Sequence, residues 1–387
     1  MRKFILLAAG VLLSVGTLAA CIGGPPPPPP TDPHDVLVVG DSVAFAFGCV
    51  LGDTITGDTQ TSCPARPGYT TKNMAIGACT TYGTQVLLYN TGTASVPNCD
   101  TTPAGNDNMT WTQAADFFVP KVVIINTAGW EIVDRWDGDT SGAPNDQWGA
   151  SGCSIQNPCN QQYQNAAVGY TNALFSAISA FRSRGAKVIV ATSPYEDGLA
   201  PEPDPATTPP GLGCSWWEPY PPSPPTASGG NCTGNAQAGT GGAWRAPFPG
   251  LTYRSGRTKL DQLNEATAFV KSQYFNGDSN VRIFPFKEHF NGPNNIYTDY
   301  VCPPPHDRDT PAVLQTDVRP GSPTIGQQVY LCDDGSHLPV NYVNAILARD
   351  PDRGHLSPAG AFNVLQPYIE PCVQALLGIG GDQSKCS

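Results

Sequence analysis

Charge is scarce in this chain. Only 14% of its 387 residues are Asp, Glu, Lys or Arg, and their balance is −11 with no Lys/Arg cluster. Binding a phosphate backbone needs clustered positive charge, so nucleic acid is excluded as a partner. Histidine is scarcer still. With five in the chain, a general base of that type must be one of His34, His289, His306, His337 and His355. No CxxC pair occurs, and no two cysteines stand at finger-like spacing with histidines, so zinc has no motif to occupy. No Gly-rich phosphate loop follows the first apolar run, which leaves nucleotide binding unsupported. Nothing in the chain calls for a metal or an organic cofactor. Past the N-terminus there is no second long hydrophobic span, no heptad pattern and no internal repeat.

Glycine (41) and proline (40) are abundant, which points to many loops around a framework that, at this length, can bury a sizeable core. The first residues, "MRKFILLAAGVLLSVGTLAAC", carry Arg2 and Lys3, then an apolar stretch short for a bilayer span, then small residues. This reads as an export signal. Its end, Leu18-Ala19-Ala20-Cys21, resembles the bacterial lipobox, and the resemblance implies cleavage before Cys21 and lipidation of its thiol. An ordinary secretory signal with a chance cysteine is the plainer alternative. "IGGPPPPPPTDPH" follows as an extended spacer. The expected product is an exported bacterial lipoprotein, membrane-anchored through Cys21 or held at the cell surface or in the periplasm.

Cysteine parity agrees with export. If Cys21 is lipidated, the thirteen cysteines leave twelve, an even number that suggests disulfides. Pairing each with its nearest neighbour closes six local loops, one connectivity among roughly ten thousand.

Four short apolar runs read as buried parallel strands: 36–39, 122–126, 187–192 and 281–286. Helical patterns lie between them. Tyr170, Leu174, Ile178 and Phe181 recur at helical spacing with Gly185 just past the end, and Leu260, Leu263 and Val270 repeat the rhythm. Near the C-terminus Ser357 is a candidate N-cap and Pro358 a first-turn residue of a helix running toward Pro367. The alternation predicts an α/β fold, a three-layer α/β/α sandwich with a central parallel sheet. The expected organisation is a signal over 1–20, a lipidated cysteine and linker over 21–34, and one domain over 35–387. Irregular insertions fall at about 135–160, 197–256 and 287–350. In the second, Trp216, Trp217, Tyr220 and Trp244 either pack the loop onto the body or stack on sugar rings.

The first apolar run ends in Gly40-Asp41-Ser42 and turns at once into an apolar helix pattern, "VAFAFGCVLGD". That places Ser42 at the carboxyl edge of the sheet, where open α/β sheets bind ligands. Free backbone N–H groups at a helix start favour a negative oxygen. A serine there can attack an acyl carbonyl; the plainer reading is a serine that caps the helix. A nucleophilic serine needs a base. In "DPDRGHLSPAGA", Asp352 precedes His355 by three residues, so a carboxylate in a turn can hold one imidazole nitrogen while the other faces Ser42. Asp334 and His337 have the same spacing. His355 is preferred, because the Ser-Pro-Ala-Gly after it opens a helix that can pin the loop.

These blocks resemble the SGNH/GDSL hydrolase superfamily: Gly40-Asp41-Ser42, a glycine in "NMAIGACTTYG", and Asp352 and His355 before a Ser-Pro-Ala-Gly run. The resemblance spans most of 35–375 and implies Ser42 as nucleophile, His355 as general base, Asp352 as its orienter, and the N–H groups of Ser42 and Gly77 as an oxyanion hole. One block departs. Where the family has Gly-x-Asn-Asp, this chain has "NTAGWEIVDRW" with Trp130 at or near the Asn position, a pattern more like the SGNH domains fused to membrane sugar O-acyltransferases. Asn126 is the substitute donor considered. The resemblance implies a serine esterase acting on an acylated saccharide or other cell-envelope ester. The rivals are an acyltransferase using the same acyl-enzyme and a surface-binding protein that keeps the fold without catalysis.

Overall fold

All four apolar runs are strands of one parallel sheet in the computed structural model of the chain. It describes residues 31–53, 63–77, 79–88, 92–100, 109–127, 129–132, 146, 148, 152–194, 256–291, 300–301, 312–332, 343–344, 346–347, 356 and 360–386. These lie in one compact unit, Thr31–Ser387. In chain order the elements are β1 (Val36–Gly40), α1 (Ala44–Val50), β2 (Thr71–Asn73), a hairpin of β3 (Gln85–Leu88) and β4 (Gly92–Ser95), α2 (Trp111–Phe118), and β5 (Val122–Asn126). After a 3-10 turn at Gly129–Ile132 come α3 (Gln161–Arg182), β6 (Lys187–Ala191), α4 (Gly256–Tyr274), β7 (Val281–Phe284), α5 (Phe286–Asn291) and, last, α6 (Gln366–Leu377).

The five parallel strands run in the order β2-β1-β5-β6-β7. Successive strand residues point to opposite faces, and the two faces have separate cores. Leu37, Val39, Val123, Ile125, Val188 and Val190 pack with α2, α3 and α4 through Trp111, Phe118, Leu174, Phe181 and Leu263. Val36, Val38, Val122, Ile124 and Ile189 pack with α1, α5 and α6 through Phe47, Phe286, Phe290, Ile369 and Val373. Strands buried on both faces must be apolar throughout, which is why they stood out as continuous runs. The architecture is an α/β sheet with helices on both faces.

The helical readings over α3 and α4 hold: Tyr170, Leu174, Ile178, Phe181, Leu260, Leu263 and Val270 are buried, and Gly185 takes a positive φ of 87° beyond the helix end. The C-terminal helix differs from expectation. Pro367 does not stop it: the chain is helical from the π-helical turn at Ala361–Leu365 straight into α6, with Pro367 at the junction of the two. Ser357 and Pro358 lie outside the described residues, as do the signal, Cys21, the polyproline run and the four aromatic residues of the second insertion. The linker boundary also shifts. Asp32 and His34 donate their N–H groups to the carbonyls of Phe117 and Phe118 at 3.0 and 2.9 Å, so the fold takes up the chain a few residues before position 35. The third irregular stretch contains strands: Ala312–Thr316 and Gln328–Cys332 pair antiparallel.

All nine described cysteines are disulfide-bonded. Four bridges join sequence neighbours, Cys49–Cys63, Cys79–Cys99, Cys153–Cys159 and Cys372–Cys386, as nearest-neighbour pairing predicts. Such bridges persist in an oxidising, extracytoplasmic setting. Among the described residues no helix is long and apolar enough to cross a membrane. Cys79 and Cys99 are buried and 20 residues apart, so replacing both with alanine is expected to cost about 3 kcal/mol through restored freedom of the unfolded chain. Urea denaturation of the double variant checks this, and an unshifted midpoint would refute it.

Candidate functional site

In the sheet order, β1 connects outward to β2 on one side, and the chain then crosses to β5 on the other. The carboxyl edge between β1 and β5 is therefore the switch point at which open α/β sheets leave a crevice. Ser42 follows β1 there, and Asn126 ends β5, opposite Gly40 in register. The chain beyond β2 continues along β1, with Met74 N–H bonded to Val38 O at 2.8 Å and Ile76 N–H to Gly40 O at 2.9 Å. This brings Gly77 to the same edge. Ser42 thus stands between the Gly77 loop on one side and Asn126 on the other. Asp352, His355, Asp334 and His337 lie outside the described residues.

Two described histidines are placed elsewhere. His34 bonds through Nδ1 to Asp32 O at 2.9 Å, and His289 follows β7, three strand spacings or about 14 Å from β1, with its ring stacked on Tyr368.

The turn into α1 is built by Asp41, not Ser42. Asp41 is buried, and its Oδ1 accepts the Val43 N–H at 3.0 Å while its carbonyl accepts that of Ala44 at 3.1 Å. Val43 occupies the N-cap position, with no side-chain cap. The capping reading of Ser42 is therefore not what the structure contains. Ser42 is half-buried and Gly77 exposed. Among the described residues neither backbone N–H meets a protein acceptor. Gly77 also has open space around it, with no heavy atom within 4 Å of where a Cβ would stand.

Asn126 is wholly buried, and among the described residues neither Nδ2 nor Oδ1 has a hydrogen-bond partner. Buried amides without partners are rare. Gly40 lies beside it with φ 135°, and a Cβ there would fall 1.6 Å from the Asn126 carbonyl oxygen. Only glycine lets β1 and β5 approach this closely just before Ser42.

Further polar groups line the edge beneath the surface. Thr127, Glu131, Thr192 and Ser193 are all buried. Ser193 Oγ donates to Thr127 O at 2.5 Å, and Asn264 accepts the Ser193 N–H at 2.8 Å while donating to its carbonyl at 2.9 Å. Tyr170 OH shares hydrogen bonds with Thr127 at 3.4 Å and Thr267 at 2.9 Å. Burial pushes the Tyr170 phenol up to about 12, its hydroxyl bonds oppose the rise, and the carboxylates of Glu131 and Asp41 add to it. Two buried carboxyl groups, Asp41 and Glu131, share this edge. Trp130 and Glu131 fall in the 3-10 turn after β5. Glu131 Oε1 accepts the Thr81 N–H at 2.5 Å, and its carbonyl accepts Trp148 Nε1 at 3.1 Å. Glu131 was absent from the sequence-derived site, although an acid inside "GWEIV" right after a buried strand was the signal available.

No protein-family model matches the chain, and no characterised protein does.

Proposed function

We propose that the protein is an exported serine esterase of the SGNH/GDSL hydrolase type, acting on an acylated saccharide or another ester of the cell envelope. The observation that carries this reading is Ser42 at the switch point, free of any capping duty and flanked by two uncommitted N–H groups, its own and that of Gly77.

Ser42 Oγ attacks the acyl carbonyl and gives its proton to His355, which Asp352 orients. The N–H groups of Ser42 and Gly77 hold the tetrahedral oxyanion. Asn126, buried at the end of β5 opposite Gly40, is the further donor proposed for the hole. His355 returns the proton to the departing alcohol. Water then attacks the acyl-Ser42 ester, passing a proton to His355, and the acid leaves as Ser42 recovers its hydrogen. An acceptor sugar in place of water would give transfer from the same intermediate.

A serine-reactive fluorophosphonate, followed by peptide mass spectrometry, tests the reading. The expected adduct is on Ser42, lost in His355→Ala and kept in His337→Ala. A folded protein that takes no adduct would overturn the esterase and favour a binding protein, the reading that the absence of the family's Asn at Trp130 supports.

A further inference from the structure

Gly77 lies in a loop tied to β1 before it and to the 3-10 turn after β5 beyond it, with further ties between them at the Cys79–Cys99 bridge and at Thr80, whose N–H meets Pro97 O at 3.0 Å. On one side Ile76 N–H is bonded to Gly40 O at 2.9 Å. On the other, Thr81 N–H is bonded to the Glu131 carboxylate at 2.5 Å. The far anchor is itself fixed. Glu131 is fully buried, and its carbonyl takes Trp148 Nε1 at 3.1 Å, whose second contact is Tyr82 OH at 3.2 Å. The Tyr82 ring in turn fills the space left by Gly169 on α3, where a Cβ would meet it at 2.6 Å. A carboxyl oxygen that accepts a buried backbone N–H fixes the segment carrying it. Burying a polar group is costly, so a position with no more than a structural duty would be served as well by an apolar side chain.

We infer that Glu131 is a positioning residue that sets the height of the Gly77 N–H over Ser42. It touches no substrate; it acts through the Thr81 N–H and the four residues between Ile76 and Thr81. The inference rests on the esterase reading above and deepens it, because it explains how a site whose oxyanion hole relies on backbone donors keeps one of them in place. A misplacement of about 1 Å in such a group can cost up to about 100-fold in rate.

The test uses the full-length chain in detergent, with Glu131→Gln, which keeps an acceptor oxygen, and Glu131→Met, which keeps the bulk without one. Three readouts are compared: hydrolysis of a short-chain aryl ester, thermal midpoint, and hydrogen exchange over residues 74–82. The expected result for Glu131→Met is a kcat lowered about 10- to 100-fold with KM unchanged, faster exchange confined to 74–82, and a thermal midpoint close to that of the parent. Glu131→Gln should recover most of the rate. An unchanged kcat or unchanged exchange in Glu131→Met would overturn the inference, and so would global unfolding of that variant, which would make Glu131 a residue of the core alone. If the parent chain hydrolyses no ester and takes no fluorophosphonate, the esterase reading falls; hydrogen exchange then decides by itself whether Glu131 fixes the loop.

Discussion

Replacing Ser42 with alanine is expected to abolish turnover of a short-chain aryl ester, a fall of about 10⁴-fold or more, while leaving the thermal midpoint almost unmoved. The two halves of this expectation have separate causes. Activity falls because Ser42 is the proposed nucleophile, set beside N–H groups of Ser42 and Gly77 that meet no acceptor among the described residues. Stability holds because the Ser42 hydroxyl caps no helix and makes no bond among the described residues. The turn into α1 is held by the Asp41 carboxylate on Val43 N–H, and by the backbone bonds from Ala44 N–H to Asp41 O at 3.1 Å and from Phe45 N–H to Ser42 O at 3.2 Å. Steady-state kinetics and thermal denaturation on the same preparation check both. Turnover at the parental rate would sink the acyl-Ser42 mechanism, and a large drop in midpoint would show that Ser42 serves the fold instead.

Gly40→Ala is expected to have the largest structural effect of any single methyl added at this edge. The backbone there has φ 135°, a region that L side chains avoid, and the added carbon would fall 1.6 Å from Asn126 O. The contact is with backbone at the carboxyl end of a parallel ladder, so no flexible side chain can yield. Strain of this kind costs of order 1–3 kcal/mol by itself, and separating β1 from β5 adds the loss of the bond from Asp41 N–H to Asn126 O at 3.1 Å. The total expected loss is about 4 kcal/mol or more, to be read from the urea midpoint or from a collapse in soluble yield. A variant with the parental midpoint would mean that the two strands do not approach so closely. Because Gly40 O also anchors Ile76, a variant that survives should lose fluorophosphonate labelling before it loses its fold.

How much of this could be read from the sequence depends on burial. β1, β5, β6 and the start of β7 announce themselves because both their faces are covered, and α3 and α4 because one stripe of each is. β2 did not, since "TKN" at the sheet edge has no apolar run; it is held by specific bonds, Asn73 N–H to Asp53 at 2.6 Å and Asn73 Oδ1 to Ala75 N–H at 3.1 Å. The strands near 312–332 were equally silent. Their hairpin is organised by Asp317, which accepts hydrogen bonds from Arg319, Ser322 and Thr324 within its own loop. The Arg319 guanidinium beside it holds its carboxyl well below the usual carboxylate range, and such chemistry leaves no periodic trace. At the site, Ser42 was legible from the break in an apolar run. For Glu131 the sequence shows only an acid right after a buried strand; its partner is a backbone N–H 50 residues away, a pairing about which side-chain spacing carries no information. Gly40 showed its identity but not its reason, which is a distance to a neighbouring strand.

The four described bridges with both ends known span separations of 14, 20, 6 and 14 residues, and each is finished before the next one starts along the chain. A polypeptide threaded through an export channel from its N-terminus therefore presents each of these cysteines with its correct partner before any later, competing thiol has emerged. Loops of this size close in well under a millisecond, so the pace is set by the oxidation step, which takes seconds or longer. An oxidant that joins thiols in order of arrival therefore makes these four bonds correctly wherever oxidation keeps pace with emergence.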